Sequence, residues 1–454
     1  MFKVSELLKA TKGKLICGNK DIIVKGVSSD TRSIRKGQAF IALKGDNFDG
    51  HDFIEKAIEN GASCIICNKG SAGKAKGSVI FIEVRDTTAA LGDLARFNRE
   101  RFVLPVIAVT GSNGKTTTKD MIAWVLSAKF KVLKNEGTKN NHIGLPSALL
   151  NLDSSHELAV LEIGTNHFGE VGYLADICRP NIGVITNIGP SHLKFLKDLK
   201  GVFREKISLL KSLKEPKIAV LNNDDKFFKG KMVLKGARPY IFSTGIKNKS
   251  HFYASGITHR QDFKSEFILN GKYRFAIKSP GIYNIYNALV TIAIARIFGM
   301  GYRDIARRLS TFKLPQSRLN LIKINKIKFI DDTYNSNPLS LEQALEVLDN
   351  IQAGGRKIFV MGDMMELGER GELFHRKLVR RAMKVCDVFI GVGKLTEVSC
   401  REALNRGFER KSIFTCASNT QARSILFEKI IPGPDDIVLV KGSRAMKMEE
   451  VFKI

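Results

Sequence analysis

No apolar run in this chain approaches the roughly 18 to 20 residues that a helix needs to cross a bilayer, so membrane insertion is not expected. The opening residues, MFKVSELLKATKGKL, lack the apolar core of a secretory signal, and no cleaved leader is expected. Cysteine is scarce and unpatterned. The seven residues Cys17, Cys64, Cys67, Cys178, Cys386, Cys400 and Cys416 are an odd number without framework spacing. That argues against a disulfide scaffold and fits a reducing cytoplasm. The one close pair, in GASCIICNKG, has no second pair to complete a zinc site and reads as a short buried strand. There is no low-complexity tract and no repeat at a fixed short period. Acid is the scarce charge: 45 Asp and Glu against 73 Lys and Arg, a net +28. Such a surplus marks nucleic-acid binders, draws in anionic substrates, or reflects a chain-wide lysine bias. The lysines form no basic tail and no aromatic-interleaved patch, so nucleic acid is not expected as a partner.

What is present is a chain of 454 residues, enough for about three domains. Residues 1–100 carry short apolar stretches (DIIVKGV, QAFIALKG, SCIICN, SVIFIEV) that alternate with helices near 53–60 and 87–99, a small α/β domain. Residues 101–313 repeat strand, loop and helix. VIAVT, ELAVLEIG, IGVITNIG and KIAVLNN are Val- and Ile-rich strands of a mostly parallel sheet. Beyond Asp225, RPYIFSTG, HFYASG and SEFILNGKYRFAIK read as antiparallel hairpins. Residues 314–454 form a third, Rossmann-like α/β unit whose strands are KIKFIDD, KIFVMGD, VCDVFIGVG, SIFTC and DIVLVKG.

The loops after these strands hold the chemistry. AVTGSNGKTTTKD departs from the common phosphate-loop spacing G-x-x-x-x-G-K-[ST], because Val109 stands where the first glycine belongs and Gly111 comes two residues later. Its order is nevertheless strand, tight turn, helix start. Free N–H groups and the helix dipole there suit phosphate. Lys115 would reach outer phosphates, and Thr116 or Thr117 would hold Mg²⁺; the plainer reading is a glycine turn with a capping threonine. Glu162 ends a buried strand, as a Mg²⁺ ligand or as a carboxylate paired with a nearby lysine. His192, after ITNIGPS, is a metal or phosphate contact or an ordinary loop histidine. In the third unit, three strand ends carry polar residues: FIDDTYNSNPLS; VMGDMMELGERGELFH with Asp363, Glu366 and His375; and LVKGSRAMKMEE with Lys441 and Arg444. Ordinary turn and capping chemistry is the common alternative.

Together these stretches resemble the Mur ligases, ATP-dependent amide-forming enzymes of peptidoglycan precursor synthesis. The family loop T-G-[ST]-N-G-K-T is matched by Thr110, Gly111, Ser112, Asn113, Gly114, Lys115 and Thr116, which with Thr117 the resemblance assigns to ATP. SDTRSIRKGQAFIALKGDNFDGHDFI is similar to the family's uridine-nucleotide domain, which implies precursor contacts at Ser29, Thr31, Arg32, Gly45 and Asn47. TKNNHIGLP is similar to the T-x-x-N-N-x-I-G-x-P loop and implies further contacts at Thr138, Asn140 and Asn141. Thr116, Glu162 and His192 would bind Mg²⁺, supported by Lys206, which falls where the family often carries a carbamylated lysine; here Ile207 and Ser208 follow it. Without the resemblance Lys206 reads as a solvated helix lysine. Asn284 and Asn287 match the G-x-H-N-x-x-N pattern near adenine, with Tyr283 in the histidine position. Arg318 would approach the phosphates and Asp332 the ribose. Asn335, Asn337, Asp363, Lys441 and Arg444 would line the acceptor cleft.

DDTYNSNP, GDMMELG and KGSR are most similar to the member that adds a dipeptide. D-Y-A-H-T-P and D-N-P-R, found in the member that adds the third residue, are absent. The resemblance therefore implies ATP, Mg²⁺, a UDP-N-acetylmuramoyl-tripeptide and D-alanyl-D-alanine, joined through an acyl phosphate with Lys115, Glu162, His192 and Lys206 at the reacting centre, in a monomer. Two other readings remain: a different ligase of this superfamily, such as the third-residue or folate polyglutamylating enzyme, and a basic P-loop ATPase driven by nucleic acid.

Overall fold

Strands and helices alternate along most of the chain, and the resulting layers fall into three α/β units in sequence. The computed structural model describes residues 1–45, 48–72, 79–229, 239–260 and 262–453. In the first unit the sheet order is Lys14–Cys17, Ile80–Val84, Cys64–Asn68, Ala39–Ile41, Val27–Ser28, parallel except at the Lys14–Cys17 edge. Cys64 and Cys67 lie three positions apart in one strand, hence on opposite faces, and enter different apolar clusters. They share no side of the sheet on which to hold a metal. Burial pushes their thiols up to about 12 and about 11.

The helix Thr87–Glu100 closes this unit. Asp86 caps it by accepting from the Thr88 and Ala89 N–H groups. Its end is anchored in the next unit: Asn98 Nδ2 donates to the Leu149 and Leu152 carbonyls, and Arg99 donates to Cys178 O. A single apolar cluster joins Val4, Leu7 and Leu94 with Val106, Ala159 and Leu174, so the first two units share a core face.

Among the described residues the central sheet has nine strands. Their order is Tyr273–Ile277, Ser265–Leu269, Phe252–His259, Tyr240–Gly245, Ile218–Asn222, Ile182–Ile185, Val106–Thr110, Leu158–Glu162, Val132–Lys134. Tyr240–Gly245 runs parallel to Ile218–Asn222, which corrects the expectation of a hairpin at RPYIFSTG. The parallel sheet extends one strand further, to Phe252–His259, and only the last two strands are antiparallel. Short alternating segments look alike in either arrangement; the connection, not the strand, decides. The helices Lys115–Leu126 and Ile282–Ile297 pack together against one face.

The third sheet runs Asn320–Ile324, Ile327–Asp332, Ile437–Lys441, Lys357–Gly362, Val388–Val392, Ile413–Cys416. All pairs are parallel except the first. That first strand was not anticipated. Asn325 and Lys326 join it to the next with φ of 48° and 70°, the two left-handed residues of a tight hairpin. The fold class expected from the sequence, three α/β units with a mostly parallel central sheet and a Rossmann-like third unit, is observed.

Candidate active site

The carboxyl ends of the central strands meet the third unit in one two-lobed cleft. At its floor Val106–Thr110 passes into the turn 111–114 and then the helix Lys115–Leu126. Two glycines make that turn possible. Gly111 has φ 148°, and a Cβ there would lie 1.9 Å from Thr186 Oγ1; Gly114 has φ 79°, and a Cβ would lie 2.7 Å from Asn287 Oδ1. The turn is clamped to its neighbour: Ser112 N–H donates to Asn187 O, Asn113 N–H to Asn187 Oδ1, and Thr186 Oγ1 to Asn113 O. Lys115 folds back, its Nζ 3.0 Å from Gly111 O and 3.3 Å from Ser112 O. Burial pulls its pKa down, opposed by Glu162 and reinforced by Arg318.

Glu162 is 1% exposed. Its Oε1 accepts from Asn140 Nδ2 at 2.6 Å, while Oε2 is buried without any partner. A buried carboxylate oxygen left unpaired is costly, and a hard cation is its natural partner. No group of three His, Cys, Asp or Glu side chains gathers anywhere among the described residues. The site thus fits a Mg²⁺ that takes one or two protein ligands and completes its shell with phosphate oxygens and water. Thr116 lines the same lobe. So does His192, whose Nδ1 lies 2.6 Å from Glu366 Oε2 of the third unit. Lys194 N–H also donates to Glu366 O, so the two units are doubly pinned there. The His192 contact holds the Glu366 carboxyl below its usual range.

Lys206 is 1% exposed on the helix Leu199–Lys211 and does not itself line the cleft. Burial, and next the Lys115 ammonium, pull its pKa well below the usual lysine value, with Glu205 opposing. The reading of Lys206 as a solvated lysine is therefore overturned: the helix turns this position inward. Its neighbour Glu205 is equally buried and accepts from Gly169 N–H and Val171 N–H, capping the helix Glu170–Cys178.

The first lobe is lined by Lys115, Thr138, Asn140, Glu162, His192, Arg318, Asn335 and Asn337. The second holds Tyr283, Asn284, Tyr286, Asn287, Leu319 and Asp332. Asn113, Gly114, Arg318 and Ser340 line both, so the lobes are continuous. Arg318 Nη2 lies 3.5 Å from Thr116 Oγ1, and its guanidinium stacks 3.8 Å from the Tyr334 ring centroid. The amides of Asn113 and Asn337 face each other across the interface, and Asn337 also caps the helix Pro338–Asn350.

Several expected residues lie elsewhere. Asp363 lines neither lobe; its Oδ1 accepts from Thr396 N–H and holds the start of the helix Lys394–Asn405. His375 is fully buried between Met364 N–H and Gly371 O, and burial lowers its pKa. Arg444 is exposed and pairs with Glu449. Lys441 faces the second lobe; its Nζ lies 2.5 Å from Asp332 Oδ2 and donates to Asn335 O. Burial raises Asp332 and lowers Lys441 from their ordinary pKa values. Asn141 caps the short helix Gly144–Leu149 through Gly144 N–H and lines neither lobe.

In the first unit Ser29, Thr31, Arg32 and Gly45 are outside both lobes. Arg32 is exposed and doubly bonded to Asp30, which with help from Lys139 holds Asp30 down to about 2. That places this loop near the Thr138–Asn141 loop. Asn47 lies outside the described residues.

Sequence reasoning missed two supports. Lys119 is fully buried and donates to Asn135 O and Gly137 O; Asn135 in turn brackets the Glu162 backbone from both sides. Lys119 stands one helical turn after Lys115, but nothing local distinguishes it from a surface lysine.

Three family patterns match the chain in succession: Mur ligase family, catalytic domain over residues 23–99; Mur ligase middle domain over 109–295; and Mur ligase, glutamate ligase domain over 317–444. The UDP-N-acetylmuramoyl-tripeptide–D-alanyl-D-alanine ligase of Bacillus subtilis (strain 168) is 34% identical over 455 residues, covering 99% of this chain and 97% of that protein. A crystal structure of MurF from Acinetobacter baumannii superposes with a TM-score of 0.88 at 30% identity, covering 99% of this chain and 97% of that one. MurF ligase from Thermotoga maritima, solved in complex with ADP, gives 0.82 at 28%, covering 95% and 97%.

Proposed function

The chain belongs to the Mur ligase family, and on that premise we propose that it joins the tripeptide carboxylate of UDP-N-acetylmuramoyl-tripeptide to the amine of D-alanyl-D-alanine, converting ATP to ADP and phosphate. The observation that carries this reading is the cleft itself. A phosphate loop, an unpaired Glu162 oxygen and third-unit residues converge there in a chain aligned end to end with ligases of that name.

The carboxylate attacks the γ-phosphorus of ATP, the P–O bond to ADP breaks, and an acyl phosphate forms. The amine then attacks the acyl carbon, loses a proton and expels phosphate. Lys115 and the free N–H groups at the start of its helix would stabilise charge on the transferring phosphoryl group. Arg318, half-buried and shared by both lobes, would bridge the phosphates from the third unit. Asn140 orients Glu162, and Glu366 orients His192, so each stands ready for the cation. Mg²⁺ when bound neutralises phosphate charge and polarises the reacting phosphoryl group. Thr138, Asn335 and Asn337 line the wall where the peptide ends would meet. Closure of the third unit over the first lobe would keep water from the acyl phosphate.

The test uses purified protein, ATP, Mg²⁺ and the UDP-tripeptide. Phosphate release is expected only when D-alanyl-D-alanine is added. Release with the dipeptide-stage precursor and a free diamino acid, and none with D-alanyl-D-alanine, would overturn the reading.

Lys206 supplies a separate expectation. Burial lowers its pKa and so favours the neutral amine, the form that takes up CO₂ to give a carbamate and a proton. The unfolded amine, near 10.4, keeps its proton at pH values where the folded amine has released it, so stability rises with pH across that window and is lost as pH falls. In bicarbonate-free buffer Lys206→Met therefore melts above the parent, by a margin that widens as pH falls below the unfolded amine's value of about 10. Turnover in bicarbonate falls by roughly a hundredfold. A margin independent of pH would contradict burial of the amine.

A further inference from the structure

Gln343 sits on the helix Pro338–Asn350 of the third unit and faces the second lobe. The residue is 9% exposed, and its Nε2 is buried with no hydrogen-bond partner. Its helix neighbours Leu341, Ala344 and Leu345 are apolar core. An apolar side chain of the same size would leave no donor unsatisfied, so the carboxamide is kept at a cost to the folded protein.

Across the lobe stands Tyr283, in the first turn of the helix Ile282–Ile297 of the central unit. Burial raises its phenol pKa, next Glu346 raises it further, and the Gln343 amide is a polar neighbour that opposes them without making a hydrogen bond of normal geometry. Several polar side chains of this lobe are already engaged. Asn284 Nδ2 donates to Pro280 O, Asn287 Nδ2 to Asn284 Oδ1, and Thr118 Oγ1 to Asn287 Oδ1. Tyr286 Oη donates to Asp224 Oδ2 at 2.7 Å. Among the described side chains that line this lobe, Gln343 Nε2 is the buried nitrogen or oxygen left without a partner.

We propose that Gln343 determines nucleobase specificity: its Nε2 donates to a ring nitrogen of adenine while its Oε1 accepts from the exocyclic amine. A carboxamide offers a donor and an acceptor side by side, the complement of adenine's N7 and N6 edge; guanine presents two acceptors there. Gln343 belongs to the third unit and Lys115 to the central one. The base is thus read only where both units meet, and adenine holds the cleft closed. This rests on the second lobe being the nucleotide's base pocket.

The experiment is calorimetric binding of ADP and of GDP, each with Mg²⁺, to the parent, Gln343→Met and Lys115→Met. ADP affinity is expected to fall about tenfold in Gln343→Met while GDP affinity is unchanged, so discrimination collapses. Without nucleotide the variant melts no lower than the parent, because a buried unpaired donor has gone. Gln343→Glu, which keeps the shape and removes the donor, shows the same loss. An unchanged ADP-to-GDP ratio, or an equal loss for both nucleotides, overturns the assignment while leaving the nucleotide reading intact. Failure of the parent to bind ADP, or of Lys115→Met to weaken it, overturns the nucleotide reading and the assignment with it.

Discussion

Lys115→Met lowers kcat about a thousandfold in the phosphate-release assay, the scale seen when a preorganised cation or donor is taken from a transferring phosphoryl group. The physical reason is position. The Lys115 ammonium is held by Gly111 O and Ser112 O at the mouth of a turn whose N–H groups and helix start face the same lobe. Methionine fills the stem's space but carries no charge. The folded protein tolerates the change: two carbonyl hydrogen bonds of an ammonium are lost, on the order of 3 to 6 kcal/mol, and the desolvation cost of that half-buried charge, which offsets much of this, is lost with them. Circular dichroism and the melting temperature check that the fold persists. Undiminished turnover would mean that the turn 111–114 is not the phosphate site.

Glu162→Gln has the second largest effect. Glutamine keeps the length of the side chain and can still accept from Asn140 through Oε1. It replaces the unpaired Oε2 by an NH₂ group, which cannot bind a cation. The Mg²⁺ concentration for half-maximal rate rises by roughly ten- to a hundredfold, and kcat at saturating Mg²⁺ falls by about a hundredfold. Without Mg²⁺ the variant melts at or above the parent, because a neutral amide at this buried, partnerless position costs less than a carboxylate. A Mg²⁺ dependence identical to the parent's would show that Glu162 is a structural acceptor only.

The candidate site was legible wherever local pattern and chemistry coincide. The turn around Gly111 and Gly114, the threonines after Lys115, and Glu162 at a strand end all lie on continuous stretches with strand and helix periodicity on either side. Val109 occupies the expected glycine position because it is fully buried in the strand, where an apolar residue belongs. Asp363, His375, Arg444 and Lys441 were ambiguous in the sequence because a polar residue after a strand can equally cap a helix, fill a core or pair across strands. Asp363 caps, His375 fills, Arg444 and Lys441 pair. Lys119, Glu205 and Lys206 were invisible as buried charges, since helical sequence alone does not say which flank faces inward when lysine is common everywhere.

By itself the sequence determined most of the buried parallel strands, the phosphate loop and the class of chemistry, because these depend on spacing within a few consecutive residues. Tertiary structure alone decided which of the polar strand ends meet. His192 is 174 residues from Glu366, Asn113 is 224 from Asn337, and Asp332 is 109 from Lys441. The first two contacts form only when the central and third units close on one another, and the last only when two distant strands pair side by side in the third sheet. The charge state of each buried group follows from that closure, because it sets how much water is left around it.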